Sequence, residues 1–96
     1  MLKHMKTIAV QYHYDATQLD LLAVERPAHR EYLKGLYDEG VLLASGPLGS
    51  NFALIIVNAE NREAALKLLE NDPLYQAGVI EERSALVWNA VYSPWS

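Results

Sequence analysis

Cysteine is absent from the 96-residue chain, and histidine occurs only three times. Without thiols the protein cannot form disulfides, use a thiolate nucleophile or bind a metal through sulfur. The three histidines, His4, His13 and His29, lack the spacing of metal-binding motifs, so neither zinc nor iron is predicted. No glycine-rich loop precedes a predicted helix, and no nucleotide or other organic cofactor is predicted either.

Basic residues are few and scattered. Eight lysines and arginines against twelve acidic residues leave a formal net charge of −4. No basic stripe is available for phosphate groups, which argues against nucleic acid and anionic membrane surfaces as partners. No apolar run approaches the roughly 20 residues of a membrane span, and the polar start lacks the apolar core of a signal peptide. Together with the missing cysteines, this predicts a cytoplasmic protein.

The composition is that of one ordinary globular domain. Hydrophobic residues make up 51% of the chain and charged residues 21%, which is enough apolar material for a packed core. The length leaves room for one domain, so we predict a single domain over residues 1–96. Met5 followed by Lys6 and Thr7 resembles a natural start. The first five residues are therefore predicted to be disordered or a remnant of cloning.

Hydrophobic periodicity and turn residues predict six elements in the order β, α, β, β, α, β. Pro27 and Gly40 bracket the first helix as its N-terminal and C-terminal signals, while the conformation of residues 15–25 stays open. The predicted elements are strands at Thr7 to Tyr14, Val41 to Ala44, Phe52 to Val57 and about Ile80 to Tyr92, and helices at Pro27 to Glu39 and Asn61 to about Glu70. Asn61 is predicted to be the N-cap of the second helix. On the first helix Tyr37 is predicted to face inward, while Arg30 and Lys34 face water. This order predicts a ferredoxin-like α+β fold with a four-stranded antiparallel sheet and both helices on one face.

The strand from Phe52 to Val57 is apolar on both of its sides, a pattern typical of strands that are buried on both faces. Two helices on one face leave the other face uncovered. A second copy of the same sheet is the predicted cover, which makes the protein a homodimer. The alternative is that the final residues, Trp88 to Trp95, fold back over the sheet.

Four short motifs resemble the YciI-like (YCII-related) family. They are Arg26-Pro27-Ala28-His29, Ala44-Ser45-Gly46-Pro47-Leu48, Asn71-Asp72-Pro73-Leu74-Tyr75 and Ala77-Gly78, in the order and at the spacings of that family. The resemblance implies a dimeric α+β barrel built from ferredoxin-like subunits. It also implies a catalytic pair at His29 and Asp72, since the family is regarded as enzymatic because of a histidine and an aspartate near a pocket. One member of the family acts as a dehydrochlorinase.

The chain departs from the family pattern in the turn after Pro47, which reaches the next strand within a few residues. Many relatives have a longer, glycine-rich loop there. If that loop lines or covers the pocket, the substrate of this protein differs from theirs.

His29 has two interpretations on its own chemistry. Its place in the first turn of the predicted helix, where the positive end of the helix dipole disfavours imidazolium, favours the neutral ring that a general base needs. A nearby carboxylate such as Asp72 would then fix the tautomer and stabilise the cation formed on proton transfer. Alternatively, His29 is a satisfied core residue and Asp72 is the N-cap of a short helix that ends at Gly78.

Four further residues are candidates for contact with a substrate. Arg26 lies just before the predicted helix and could hold an anionic group, with an exposed salt bridge as the alternative. Ser45 stands in no nucleophile-elbow pattern and is interpreted as a turn residue that donates a hydrogen bond into the pocket. Tyr12, on the first strand, and Tyr75, in the third motif, complete the predicted substrate-binding set.

The leading interpretation is an enzyme that needs neither metal nor organic cofactor. His29 and Asp72 would carry out acid/base chemistry on a small cyclic or enolisable substrate, as isomerases, lyases and dehydrochlorinases do. The alternative is a dimeric module that binds a small ligand without catalysis, and a third possibility is a structural oligomerisation unit. A polar-lined cavity beside His29 would favour the first two over the third.

Overall fold

The computed structural model describes residues 4–95. The prediction that the first five residues are disordered or a remnant of cloning concerns, at residues 1–3, a part of the chain that the structure does not describe. The helices and strands are β1 (Lys6–Tyr14), a 3-10 turn (Ala16–Gln18), α1 (Leu19–Asp38), β2 (Leu42–Leu48), β3 (Phe52–Ala59), α2 (Arg62–Leu68), a second 3-10 turn (Leu69–Asn71), α3 (Pro73–Gln76) and β4 (Ile80–Val87). None of the helices in residues 4–95 combines the length and the apolarity that crossing a bilayer requires.

The four strands form one antiparallel sheet in the order β2-β3-β1-β4, which confirms the predicted ferredoxin-like α+β fold. The alternation that predicted β1 directs every second side chain to the helices. These side chains are buried, and they are Ile8, Val10, Tyr12 and Tyr14. They pack in one core with apolar residues of α1, including Leu33, and with Leu69 and Leu74 from the segment that follows α2.

Helix α1 begins at Leu19, eight residues before Pro27, so the prediction that Pro27 opens the helix is wrong. The buried residues of α1 form one continuous helical stripe: Leu22, His29, Leu33 and Leu36. Proline has no backbone N–H, so the carbonyl four residues earlier, at Ala23, loses its helical partner. Ala23 is exposed and its neighbourhood faces water, which makes the interior proline tolerable.

Two further boundaries and the exposure of one residue differ from the prediction. Residues 45–48 belong to β2 and not to a turn, because Ser45 pairs with Ile55 and Pro47 with Ala53. An edge strand tolerates the missing donor of a proline, and the turn itself is confined to residues 49–51. Strand β4 ends at Val87 instead of about Tyr92. Tyr37, expected on the inner face of α1, is 61% exposed.

The sheet face opposite the helices carries apolar side chains that stay partly exposed. Phe52 is 36% exposed and Leu86 is 64% exposed, while Ile56, whose neighbour Ala9 on β1 also pairs with Leu86, is buried. The C-terminal residues leave Phe52 and Leu86 exposed. Trp88 and Trp95 pack edge to face at 5.6 Å and line a depression with residues 4–7. The fold-back alternative therefore does not account for the apolar surface around Phe52 and Leu86.

Candidate functional site

His29 and Asp72 are in direct contact although they are 43 residues apart in the chain. Asp72 lies between the second 3-10 turn and α3, which packs against α1. The Nδ1 atom of His29 lies 2.7 Å from Oδ2 and 2.9 Å from Oδ1 of Asp72. A carboxylate can only accept, so Nδ1 carries the proton and donates it, and Nε2 of the neutral ring keeps a free lone pair.

The carboxylate of Asp72 is fully buried and accepts hydrogen bonds from three groups. Besides His29, the Tyr12 hydroxyl donates to Oδ2 at 2.9 Å and the Leu74 backbone N–H donates to Oδ1 at 3.0 Å. These donors compensate for the cost of placing a charge in the protein interior. Asp72 is thus the N-cap of α3 and the hydrogen-bond partner of His29 at once, so the two interpretations of this residue are compatible.

Tyr12 lies behind this pair and not beside a ligand site. Its side chain is fully buried, and burial, with a further contribution from the Asp72 carboxylate, raises the pKa of Tyr12. The phenol therefore stays protonated and donates to Asp72. Tyr12 was expected to contact substrate. In the structure its hydroxyl contacts the same carboxylate that His29 contacts.

The Nε2 side of His29 lies at a cleft of about 620 Å³ between α1, β2 and the adjoining part of the sheet. This volume is in the usual range for small-molecule sites. Nε2 makes no hydrogen bond within residues 4–95, and it is not sealed from solvent. The cleft is lined by Tyr14, Arg26, His29, Arg30, Leu33, Lys34, Tyr37, Leu42, Leu43, Ala44, Ser45, Gly46, Pro47, Ala53 and Ile55. A ligand in it can reach the ring.

The structure brings together some of the predicted site residues and separates others. Arg26 and Ser45 both line the cleft with His29, and β2 forms one of its walls. Tyr75 lies elsewhere, where its ring is covered by the Arg83 guanidinium 4.2 Å from the ring centroid. The expectation that Tyr75 contacts the substrate therefore has no support from the geometry.

Sequence reasoning missed three residues of the cleft. Arg30 and Lys34 were interpreted as facing water, and Tyr14 was not singled out, yet all three line the cleft with His29. The signal was present, because Arg26, Arg30 and Lys34 recur every four residues and share a helix face. Because the predicted helix began at Pro27, Arg26 lay outside it, and the spacing did not indicate a shared face for the three residues.

His29 does not lie in the first turn of α1, since it is the eleventh residue from Leu19. The effect of the helix dipole falls off within the first turn, so it does not act on this ring. The ring is instead buried at the edge of the core. Within residues 4–95, no three His, Cys, Asp or Glu side chains lie together in a metal-binding arrangement.

We expect stability to fall at alkaline pH because of Tyr14. Burial raises the pKa of Tyr14 from its ordinary 10.0 to about 12, against a lowering effect of the Arg26 guanidinium. The unfolded chain then loses this proton first, so the free energy of unfolding falls between about pH 10 and pH 12. Measured by urea unfolding, Tyr14→Phe should lose less stability than wild type over that pH range. The loss that remains comes from Tyr12, whose pKa is also raised by burial. Tyr92→Phe, 93% exposed, should behave like wild type. Equal losses in Tyr14→Phe and wild type would contradict this account.

Comparison with known proteins places the chain in a family. The profile of the YCII-related domain matches residues 5–89. The chain is 35% identical over 78 residues to Protein YciI of Escherichia coli O6:H1 (strain CFT073), covering 70% of this chain and 80% of the relative. Protein YciI of Shigella flexneri matches with the same identity and coverage.

Solved structures show the same fold. 5-Chloro-2-hydroxyhydroquinone dehydrochlorinase (TftG) from Burkholderia phenoliruptrix AC1100, in complex with 2,5-dihydroxybenzoquinone, superposes with a TM-score of 0.75 at 22% identity, over 86% of this chain and 93% of that one. A putative antibiotic biosynthesis monooxygenase from Nitrosomonas europaea gives 0.52 at 14% identity, over 96% and 95% of the two chains. The fold and the match over residues 5–89 agree, and the chain belongs to the YCII-related domain family.

Proposed function

We propose that the protein is an acid/base enzyme in which Nε2 of His29 removes a proton from a small substrate bound in the cleft. The observation that carries this proposal is the contact of 2.7 Å between His29 Nδ1 and a buried carboxylate of Asp72. A carboxylate in that position holds the ring in the tautomer with a free lone pair on Nε2 and stabilises the imidazolium that forms on proton transfer.

Proton removal by His29 is compatible with two reaction classes. Proton removal at Nε2 breaks a C–H or O–H bond and leaves the electron pair on the substrate. That pair either expels a leaving group such as chloride, which departs with its own bonding pair, or shifts a double bond, after which the imidazolium returns the proton. The first outcome is a lyase reaction and the second an isomerisation. TftG, with the same fold and a dehydrochlorinase by name, supports the first class.

The experiment offers two substrate types to the purified protein. Chlorinated hydroquinones are assayed for chloride release, and cyclic ketones and lactones for deuterium uptake next to the carbonyl in D₂O, which detects proton removal even without a stable product. Wild type should act on at least one type, and His29→Ala should not. His4→Ala, an exposed histidine outside the cleft, is the matched control and should act like wild type. Equal rates for His29→Ala and wild type would overturn the proposal and favour a ligand-binding module.

We further propose that two copies pair through the sheet face that the helices leave open, as expected for an α+β barrel. The apolar surface there, with Phe52 36% and Leu86 64% exposed, is what a second sheet would cover. Sedimentation should show a dimer at micromolar concentration, and Leu86→Glu should convert it to a monomer. Val24→Glu, at a position 72% exposed on α1, should leave the dimer intact. A stable wild-type monomer would contradict this arrangement.

A further inference from the structure

One wall of the cleft carries three positive charges. Arg26, Arg30 and Lys34 follow one another at intervals of four residues along α1, and all three line the cleft. They are three of only eight basic residues in a chain whose net charge is −4. No aspartate or glutamate is among the lining residues. The positive potential of the cleft is therefore opposite in sign to that of the molecule as a whole.

Two of these charges have no partner within the described part of the chain. Lys34 Nζ lies 2.8 Å from Asp38 Oδ2, one turn further along the helix. Arg26 and Arg30 make no ion pair and no hydrogen bond within residues 4–95. Like charges four residues apart on a helix destabilise it. An anion held between the two guanidinium groups would remove that repulsion, and a guanidinium suits a carboxylate or a phenolate because it offers parallel N–H donors.

The remainder of the cleft complements a small apolar body with polar ends. Leu33, Ala53 and Ile55 provide a buried apolar floor. The Tyr14 hydroxyl lies close enough to Arg26 and Arg30 for their charges to lower its pKa, although burial dominates and keeps the phenol a donor at neutral pH.

We infer that the cleft binds a small organic anion, a ring or short chain bearing a carboxylate, phenolate or enolate oxygen, with that oxygen against Arg26 and Arg30. This rests on the proposed function in one respect: the substrate of the His29 base belongs to this class. The same guanidinium groups then stabilise the negative charge that appears on the substrate when Nε2 takes its proton. Neutral molecules of the same shape are bound more weakly.

The test measures binding and needs no turnover. Wild-type protein is titrated with 4-hydroxybenzoate and with 4-hydroxybenzamide, which match in size and differ in charge, and amide NMR signals of residues 42–46 are followed. The benzoate should bind at least about tenfold more tightly, as one charge-assisted hydrogen bond predicts. Arg26→Gln and Arg30→Gln should each lose most of this preference. Arg62→Gln removes the same charge from α2, outside the cleft, and should keep it.

Three results would overturn the inference. Equal affinity for benzoate and benzamide, or no binding of benzoate at millimolar concentration, shows that the cleft does not select anions. Equal weakening by Arg62→Gln and Arg30→Gln shows a general charge effect and no site. His29→Ala keeps both arginines and should keep the preference for benzoate. A wild-type protein that prefers the anion but catalyses nothing would therefore sink the proposed function and leave this inference standing.

Discussion

Replacing His29 by alanine should lower kcat/KM by about 10² to 10⁴, the usual effect of losing a general base. The ring contributes a basic nitrogen at Nε2 that no other lining side chain replaces, since the other polar lining residues are two arginines, a lysine, two tyrosines and a serine. The measurement is the initial rate on whichever substrate the chloride or deuterium assay identifies. The exposed His4→Ala variant should keep the wild-type value.

The partner substitution shows whether the two residues act together. Asp72→Asn should lower the rate less than His29→Ala, because the base is still present but its tautomer is no longer enforced. The double variant should be scarcely slower than His29→Ala alone, because Asp72 acts only through the ring. Losses that multiply would show two independent roles. A folded His29→Ala protein with wild-type turnover would exclude the base altogether.

Asp72→Ala should destabilise the fold by about 3–5 kcal/mol, the cost typical of breaking a buried charged network. The substitution leaves three buried donors without an acceptor: Nδ1 of His29, the Tyr12 hydroxyl and the Leu74 N–H. Each unsatisfied group adds to the loss. The free energy of unfolding is measured with urea and compared with that of Asp38→Ala, which breaks an exposed pair with Lys34 and should cost far less.

A second substitution distinguishes the loss of hydrogen bonds from the loss of side-chain volume as the cause of the destabilisation. Adding Tyr12→Phe to Asp72→Ala removes one of the orphaned donors, so the double variant should recover part of the lost stability. If the loss came only from missing volume, Tyr12→Phe would make no difference or would add to it. A loss for Asp72→Ala no larger than that for Asp38→Ala would contradict the hydrogen-bond geometry of the site.

Much of the fold could be predicted because its signals are local. The alternation along β1 identified the buried residues of that strand, and Asn61 was recognised as the N-cap of α2, where it accepts from the Ala64 N–H. The predicted boundaries of helices and strands were wrong where tertiary context overrode a local preference. Pro27 lies inside α1 because the unpaired carbonyl before it faces water, and Pro47 lies in β2 because the strand is at the edge of the sheet.

The candidate site was predicted unevenly. The residues His29 and Asp72 were named through the family resemblance, and their contact is a matter of geometry that the structure supplies. Arg30 and Lys34 could have been found from their spacing once α1 was extended to Leu19. The position of Tyr12 behind Asp72 had no local signal, because alternation along a strand shows which face a side chain takes and not what it meets there.

The sequence by itself determined the order of strands and helices, which of their faces are apolar, and the net negative charge of a chain without cysteine. These properties depend on residue type and on spacing over a few positions. Only the tertiary structure decided that His29 meets Asp72 across 43 residues and that Tyr12 reaches the same carboxylate across 60. It also decided that Arg26 and Arg30 line one cleft together with His29. Such contacts depend on how α1 packs on the sheet, and packing is settled by the whole core at once.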